Sequence, residues 1–162
     1  MKISDVFNRF IDYYAAYFGF SNREGAVARI NQGDCGTAAI AVGTVLQHNG
    51  FPVVFRDNIN HAFITIGTLA YDCANLEGVK EEILNEQYGS LESQIVTPEI
   101  LIGAYMPYDA CGAVLLKRFL EHYQIPVYPF TLNVVENIGD FDDPEYVKEL
   151  EDRLNLFLEG QK

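Results

Sequence analysis

Long apolar runs are missing from this chain of 162 residues. A membrane-spanning helix needs about 20 consecutive apolar residues, and no segment of the sequence approaches that length. Asp5 and Arg9 also interrupt the N-terminal segment, where a secretory signal peptide has an unbroken apolar stretch. We therefore expect a cytoplasmic protein that does not bind a membrane.

Basic residues are few: 11 lysines and arginines stand against 23 aspartates and glutamates, for a formal net charge of −12. Because proteins bind nucleic acids largely through cations clustered on the phosphates, we expect no nucleic-acid partner. The acidity is typical of a well-solvated surface, of a protein that attracts a basic protein partner, or of a nucleic-acid mimic that blocks a basic groove.

Cysteine is also scarce, with Cys35, Cys73 and Cys111 as the only three. A disulfide framework needs an even number of cysteines, so we expect reduced thiols. No two cysteines have C-x-x-C spacing and no two histidines have H-x-x-x-H spacing, which are typical of zinc sites. We therefore expect neither a metal nor another cofactor.

Hydrophobic residues, in contrast, make up 49% of the chain, which suits one domain spanning residues 1–162 with a substantial core. Apolar side chains at helical spacing predict an amphipathic helix over residues 4–18, with Ser4 as its N-cap and Gly19 as its end. Ser21 has the position of an N-cap for a short second helix.

The segment CGTAAIAVGTVLQHNG predicts a third helix, which begins at Cys35 after the N-cap Asp34 and ends at Gly50. Its small side chains allow it to lie close to a sheet. The β-branched and aromatic residues that follow are broken by the turn-forming segments DNIN and GT. They predict three antiparallel strands, near residues 53–56, 61–66 and 69–73.

The second half of the chain alternates helical patterns with one strand pattern, which together with the first half indicates an α+β fold. The predicted elements are, in order, a helix over residues 78–88, a helix that begins at Thr97-Pro98, a helix capped by Asp109, an edge strand over 125–132 and a terminal helix from Pro144.

Cys35 is a candidate nucleophile because the start of a helix favours a thiolate, as does a nearby imidazolium. His48 is excluded as its partner, since it lies about 20 Å further along the same predicted helix. His122 is at the end of another helix, where we expect it to be exposed. His61 begins a strand directly after a turn, which is a rigid position from which a side chain can reach a helix end.

Asp72 completes a candidate triad. If the strands pair across the turn at Gly67-Thr68, residues 62–63 lie opposite Asp72, and His61 is its close neighbour. The carboxylate would then orient the imidazole, and the imidazole would serve the thiol. We expect Cys73 to be a core residue on the opposite face of the strand, and Cys111 to be inert.

These residues resemble the core of the transglutaminase-like proteins, within the papain-like cysteine peptidase superfamily. The resemblance is carried by Gly33-x-Cys35, Phe51-Pro52-Val53, His61-Ala62-Phe63 and Tyr71-Asp72. In that group the cysteine begins a helix, and the histidine and aspartate lie on consecutive strands. The run DCGTAAIAV more weakly resembles the start of bacteriocin-processing peptidase domains. The resemblance implies a papain-like α+β fold, with the nucleophile at the N-terminus of a helix that packs on a small antiparallel sheet.

A second register is also open. The segment NQGDCG resembles the papain stretch Asn-Gln-Gly-x-Cys-Gly-Ser-Cys-Trp, in which the later cysteine is the nucleophile. In that register Ala38 occupies the catalytic position and the site is inactive. The intervals to the histidine and the aspartate favour the register with Cys35.

The chemistry that this triad predicts is acyl transfer, with Cys35 attacking an amide, isopeptide or thioester carbonyl of a protein or peptide substrate. The oxyanion needs hydrogen-bond donors, for which the candidates are the backbone N–H of Cys35 and the side chains of Gln32 and Asn31. Two alternatives are a non-catalytic acidic protein, acting as an inhibitor or a nucleic-acid mimic, and an inactive papain-like binding domain.

Overall fold

A computed structural model of the protein describes residues 1–161. It is built from helices packed around one small sheet, so the α+β class is as predicted. Its elements are α1 (Ile3–Phe18), α2 (Arg23–Arg29), α3 (Cys35–His48), β1 (Val53–Asp57), β2 (Ala62–Ile66), β3 (Leu69–Asp72), β4 (Asn75–Lys80), α4 (Glu81–Gln87), β5 (Gln94–Val96), α5 (Pro98–Tyr105), α6 (Ala110–His122), α7 (Pro129–Glu136) and α8 (Pro144–Glu159). Across residues 1–161, none of these helices is both long enough and apolar enough to cross a bilayer.

The five strands form one antiparallel sheet in the order β4-β3-β2-β1-β5. The first four strands follow one another as a meander, and β5 returns to the edge beside β1. The three strands that the sequence predicts are β1, β2 and β3, with ends within one residue of those expected. Ile64 pairs with Tyr71, which puts Phe63 opposite Asp72 in agreement with the predicted register.

The central helix α3 lies against the sheet with the whole of its first three turns buried, from Cys35 to Leu46. It contacts β1 and β2 on one side and α1, α5 and α6 on the others. A helix surrounded in this way needs small side chains where a neighbour approaches closely. At Gly43 a Cβ atom would overlap the ring of Phe55 on β1, and it would lie 3.1 Å from the Cγ2 atom of Ile64 on β2.

The N-terminal helix α1 presents an aromatic face to the core. Phe10, Tyr13 and Tyr17 are at most 1% exposed, and the rings of Phe10 and Tyr13 meet Phe119 of α6 edge-to-face. The helix ends at Gly19 in the left-handed conformation with φ 78°, as predicted.

The predicted N-caps of α1 and α2 are wrong. The first helix begins after Lys2, with no side-chain cap, so Ser4 lies inside the helix. The cap of α2 is Asn22 rather than Ser21, and its side chain accepts a hydrogen bond from the N–H of Gly25 at 2.7 Å. Asparagine and serine are equally good caps, so the sequence pattern alone did not distinguish these adjacent positions.

Three helix starts in the second half are confirmed by their caps. The side chains of Thr97, Asp109 and Asp143 accept hydrogen bonds from the backbone N–H of Ile100, Gly112 and Glu145. Such side-chain oxygens satisfy N–H groups that have no partner within the helix.

The rest of the second half corrects the prediction. The helix predicted over residues 78–88 is shorter, because 75–80 form the strand β4, and the three-residue strand β5 was not predicted. The edge strand predicted over 125–132 is wrong, because Pro129 begins the helix α7. Proline at the first position of a helix lacks only an N–H that would have no helical partner.

We predict that Gly43→Ala lowers the free energy of unfolding by about 2 kcal/mol, because the new methyl group overpacks the contact between α3 and β1. Gly103→Ala is the matched control, since Gly103 lies in α5 and a Cβ atom there meets nothing within 4 Å. The control should leave stability unchanged or raise it by up to about 1 kcal/mol. Urea denaturation measures both, and equal effects at the two positions would contradict this packing.

Candidate active site

The thiol of Cys35 lies at the first residue of α3, as predicted, and the side chain is only 5% exposed. The helix start is not a free end, however. A π turn over Ile30–Asp34 joins α2 directly to α3, and its i→i+5 hydrogen bonds give the entering N–H groups carbonyl partners. The macrodipole of α3 is therefore a weaker source of thiolate stabilisation than the sequence suggested.

Asp34 does not cap α3 with its side chain, which corrects the prediction. Its carboxylate instead accepts a hydrogen bond from the hydroxyl of Tyr14 on α1. This bond ties the π turn to α1, and so fixes the position at which Cys35 enters the core.

The imidazole of His61 is held at the entrance to β2, immediately before the first residue of that strand. The backbone carbonyl of His61 accepts a hydrogen bond from the N–H of Asn58 at 3.1 Å, and this bond closes the β1–β2 turn. Its ring nitrogen Nε2 lies 2.9 Å from Oδ2 of Asp72. The two side chains are 0% and 5% exposed, so this hydrogen bond is shielded from water.

The Asp72 carboxylate, at the end of β3, has further hydrogen-bond donors. Its Oδ1 accepts from the N–H of Ala74 at 2.9 Å and from the side-chain amide of Asn75 at 2.8 Å. A buried carboxylate is costly unless its oxygens are satisfied. With these donors and the imidazole, both oxygens of Asp72 have partners and the group is held rigidly.

The thiol meets the histidine across the gap between α3 and β2. The N–H of Ala62, the residue after His61, donates to Sγ of Cys35 at 3.4 Å. The other ring nitrogen of His61, Nδ1, is buried and has no hydrogen-bond partner among the described residues. The structure thus brings together Cys35, His61 and Asp72, the three side chains that the sequence predicts as a triad.

The pKa of His61 reflects two opposing effects. Burial lowers this pKa, whereas the hydrogen bond to Asp72, the proximity of the Cys35 thiol and the charge of Asp72 raise it. The balance leaves the pKa of His61 above its ordinary value. The site therefore stabilises the imidazolium more than water does, in spite of its burial.

Tyr88, which the sequence reasoning missed, covers one face of the imidazole. Its ring stacks on His61 with the centroids 3.7 Å apart and the planes at 4°. The carbonyl of Tyr88 accepts a hydrogen bond from the side chain of Asn60, and the buried Asn58 side chain donates to Asn85. The β1–β2 turn and the end of α4 therefore hold the imidazole between them.

Tyr105, at the end of α5, was also missed, and it covers the thiol side of the site. Its Cβ and Cγ atoms pack so closely on Gly36 that a Cβ there would lie 2.5 Å from each. Its hydroxyl donates to Oδ1 of Asp57 at 2.8 Å. Burial, this hydrogen bond and the proximity of Cys35 all raise the pKa of Tyr105, so the hydroxyl stays protonated.

The space beside the thiol is very small. A cavity of about 10 Å³ is lined by Cys35, Asp72, Asn31 and Ala38, among others, and a single water needs about this volume. Asn31 thus lies at the cavity, with its Oδ1 buried and without a partner among residues 1–161. Gln32, the other predicted oxyanion residue, is exposed and is not part of the cavity wall.

The other two cysteines are buried. Cys73 is a core residue as predicted, but it lines the same cavity as Asp72 rather than an opposite face, because β3 ends at Asp72 and the strand alternation stops there. Burial, followed by the charge of Asp72, raises the pKa of the Cys73 thiol. Burial and a hydrogen bond to Asp142 raise that of Cys111 to about 12. Neither environment favours a thiolate.

Comparisons with models of protein families, with curated proteins and with solved structures find no match to this chain. The papain-like resemblance therefore stays a prediction, based on the motifs and on their chain order. Any functional conclusion has to come from the geometry of the site.

The raised pKa of His61 predicts a pH-dependent contribution to stability. The unfolded histidine titrates near 6.5, and the folded one above it. The stabilisation is therefore complete below about pH 6.5 and disappears as the pH rises through the folded pKa.

We expect the difference in unfolding free energy between the wild type and His61→Gln to be largest near pH 6 and to shrink toward pH 9. Urea denaturation over this range measures it. A difference that stays constant, or that grows with pH, would contradict the raised pKa.

Proposed function

We propose that this protein is a cysteine hydrolase or acyltransferase of the papain-like kind, acting on an amide, isopeptide or thioester bond of a protein or peptide. The single observation that carries the proposal is the buried arrangement of the three side chains. Nε2 of His61 is hydrogen-bonded to Asp72, and Sγ of Cys35 accepts a hydrogen bond from the N–H of Ala62, the residue after His61. A nucleophile, a base and an orienting carboxylate in this order support covalent acyl transfer.

The hydrogen bond to Asp72 supports different roles for the two ring nitrogens. A carboxylate accepts, so it favours the tautomer of His61 that carries its proton on Nε2. Nδ1 is then the free base, and it is the nitrogen that has no other partner among the described residues. In this assignment Nδ1 takes the proton of the Cys35 thiol.

The reaction then proceeds in two steps. The Cys35 thiolate attacks the carbonyl carbon, and the tetrahedral intermediate expels the amine or thiol, which takes the proton from Nδ1 of His61. The acyl group is left as a thioester on Sγ. Water or an amine next attacks this thioester and gives its proton to Nδ1. The Cys35 thiolate then leaves the acyl group, and the proton on Nδ1 returns to it, which restores the starting state.

The oxyanion of the intermediate needs donors near the attacked carbonyl. Asn31 is favoured over Gln32 for this role, because it lines the cavity beside Cys35 and Gln32 does not. The N–H of Cys35 is a weaker candidate than the sequence suggested, because the preceding π turn provides it with a carbonyl partner.

The small cavity favours a second candidate, in which the same fold is an inactive binding domain. A space of about 10 Å³ does not admit a substrate carbonyl. In the catalytic proposal, the thiol must therefore be uncovered before a substrate reaches it, and Tyr105, which packs on the adjacent Gly36, is the candidate residue to move. Loop and helix movements of this kind are common at enzyme sites that close over their substrates.

Selective alkylation tests the proposal. We expect iodoacetamide to label Cys35 at least about tenfold faster than Cys73 or Cys111, because only Cys35 has an imidazole to favour its thiolate. His61→Ala should reduce the rate at Cys35 by at least about tenfold. Peptide mass spectrometry measures each rate.

The matched control is His48→Ala, which removes an exposed histidine and should leave the labelling of Cys35 unchanged. Incubation with p-nitrophenyl acetate extends the test, since it should add one acetyl group to Cys35 in the wild type and not in His61→Ala. Slow and equal labelling of all three cysteines, with no acetylation, would refute the catalytic proposal and leave the binding domain.

We further predict that Tyr105→Ala raises the alkylation rate of Cys35 by about fivefold or more, because the variant loses the ring that packs on Gly36 as well as the hydrogen bond to Asp57, and that bond alone is worth about 1 kcal/mol. Tyr105→Phe keeps the ring on Gly36 and should have a smaller effect. Tyr108→Ala, at a residue 75% exposed, is the control. An unchanged rate in Tyr105→Ala would show that Tyr105 does not limit access to the thiol.

A further inference from the structure

The strand β5 leaves one edge of the sheet open. It pairs with β1 on one side and, among the described residues, with no strand on the other. Its residues Gln94 and Ile95 are exposed, Ile95 by 68%. An open edge presents unpaired backbone N–H and C=O groups that an extended peptide can bind as an added strand.

A groove of about 160 Å³ lies beside this edge, on the face shared by β1 and β5, and is lined by Asp57, Asn58, Ile59, Glu92, Gln94 and Val96. It lies next to the candidate active site. Asp57 pairs with Ala62, whose N–H contacts the thiol, and the same Asp57 accepts the hydroxyl of Tyr105. A ligand in the groove therefore lies beside the residue that covers Cys35.

The charged side chains of the groove are all acidic. Asp57 and Glu92 line it, and residues 86–105 contain no lysine or arginine. The nearby Arg56 alternates to the other face of β1, where it pairs with Glu81 at 3.0 Å. The groove therefore matches a cationic ligand.

The Asp57 carboxylate has one oxygen available to such a ligand. Its Oδ1 accepts both the N–H of Ile59 at 3.0 Å and the hydroxyl of Tyr105 at 2.8 Å. Its Oδ2 has no hydrogen-bond partner within residues 1–161 and is accessible to solvent. A lysine or arginine side chain can bind there without displacing either internal donor.

Apolar side chains also lie in this region. Ile59 is 90% exposed in the groove wall, and Leu91, one residue before Glu92, is 99% exposed. Ile59 has φ 77°, an unfavourable conformation for a β-branched residue. These side chains can bury an apolar residue of a bound peptide.

We propose that this edge groove, defined by the six lining residues, binds an extended cationic peptide segment as an added strand on β5. Lysine or arginine side chains of the peptide reach over β5 to Glu92 and Asp57 on the groove face, while its alternate apolar side chains point to the other face of the sheet, where Ile95 is exposed. The proposal rests on the proposed function in one respect: the bound segment belongs to the substrate, and the groove directs it toward Cys35.

Binding is tested apart from catalysis, in the full chain with Cys35→Ala. The probe is a fluorescein-labelled ten-residue peptide of alternating lysine and valine, and fluorescence anisotropy measures its Kd at low and high salt. Two comparison peptides carry glutamate in place of lysine, or N-methyl groups on alternate backbone amides. The methylated peptide has the same charge but cannot pair fully with a strand edge.

We expect the lysine peptide to bind, and to bind more weakly as salt rises. The glutamate peptide should not bind, and methylation should weaken binding by about tenfold or more. In the Cys35→Ala background, Glu92→Lys should weaken it by about fivefold. Glu159→Lys, which makes the same charge change on α8, should leave the Kd nearly unchanged.

The proposed peptide site would be refuted if the methylated and unmethylated peptides bound equally, or if Glu92→Lys and Glu159→Lys weakened binding equally. Either result would indicate attraction to the net negative charge alone. No binding of the lysine peptide would refute the site as well. The outcome is separable from the proposed function: groove binding with an unreactive Cys35 defeats only the catalytic proposal, and a reactive Cys35 without groove binding defeats only the groove.

Discussion

The buried hydrogen bond between Nε2 of His61 and Oδ2 of Asp72 is the constraint on which the rest of the site depends. A carboxylate and an imidazole removed from water are stable only with partners of good geometry. That requirement fixes the end of β3 against the start of β2. It also leaves Nδ1 of His61 without a partner among residues 1–161, on the side where α3 presents the Cys35 thiol.

The two halves of the chain contribute different things to this arrangement. The first half supplies the three candidate catalytic side chains through α3, the start of β2 and the end of β3. The second half supplies Tyr88 over the imidazole, Tyr105 over the thiol and the open edge of β5. Low dielectric strengthens the interactions of the buried groups, and the same burial leaves Cys35 only 5% exposed.

Much of the first half could be predicted from sequence, because its signals are local. Small residues define α3, and the short turn between β2 and β3 fixes a register that brings His61 to Asp72. The positions of Tyr88 and Tyr105 over the site could not be predicted. Tyr105 binds Asp57, which is 48 residues away in the sequence, and no periodicity indicates such a contact. The strand predicted around Pro129 was wrong for another reason, because proline is compatible with both an edge strand and the start of a helix.

The state of the His61 ring is the most direct measure of whether this site is built for acyl transfer. Histidine labelled with 15N and followed by NMR reports both the pKa and the tautomer. The arrangement described here predicts a pKa above the ordinary 6.5 in the wild type, a fall in Asp72→Asn, and a neutral ring with its proton on Nε2. A pKa at or below 6.5, or a neutral ring protonated on Nδ1, would contradict it.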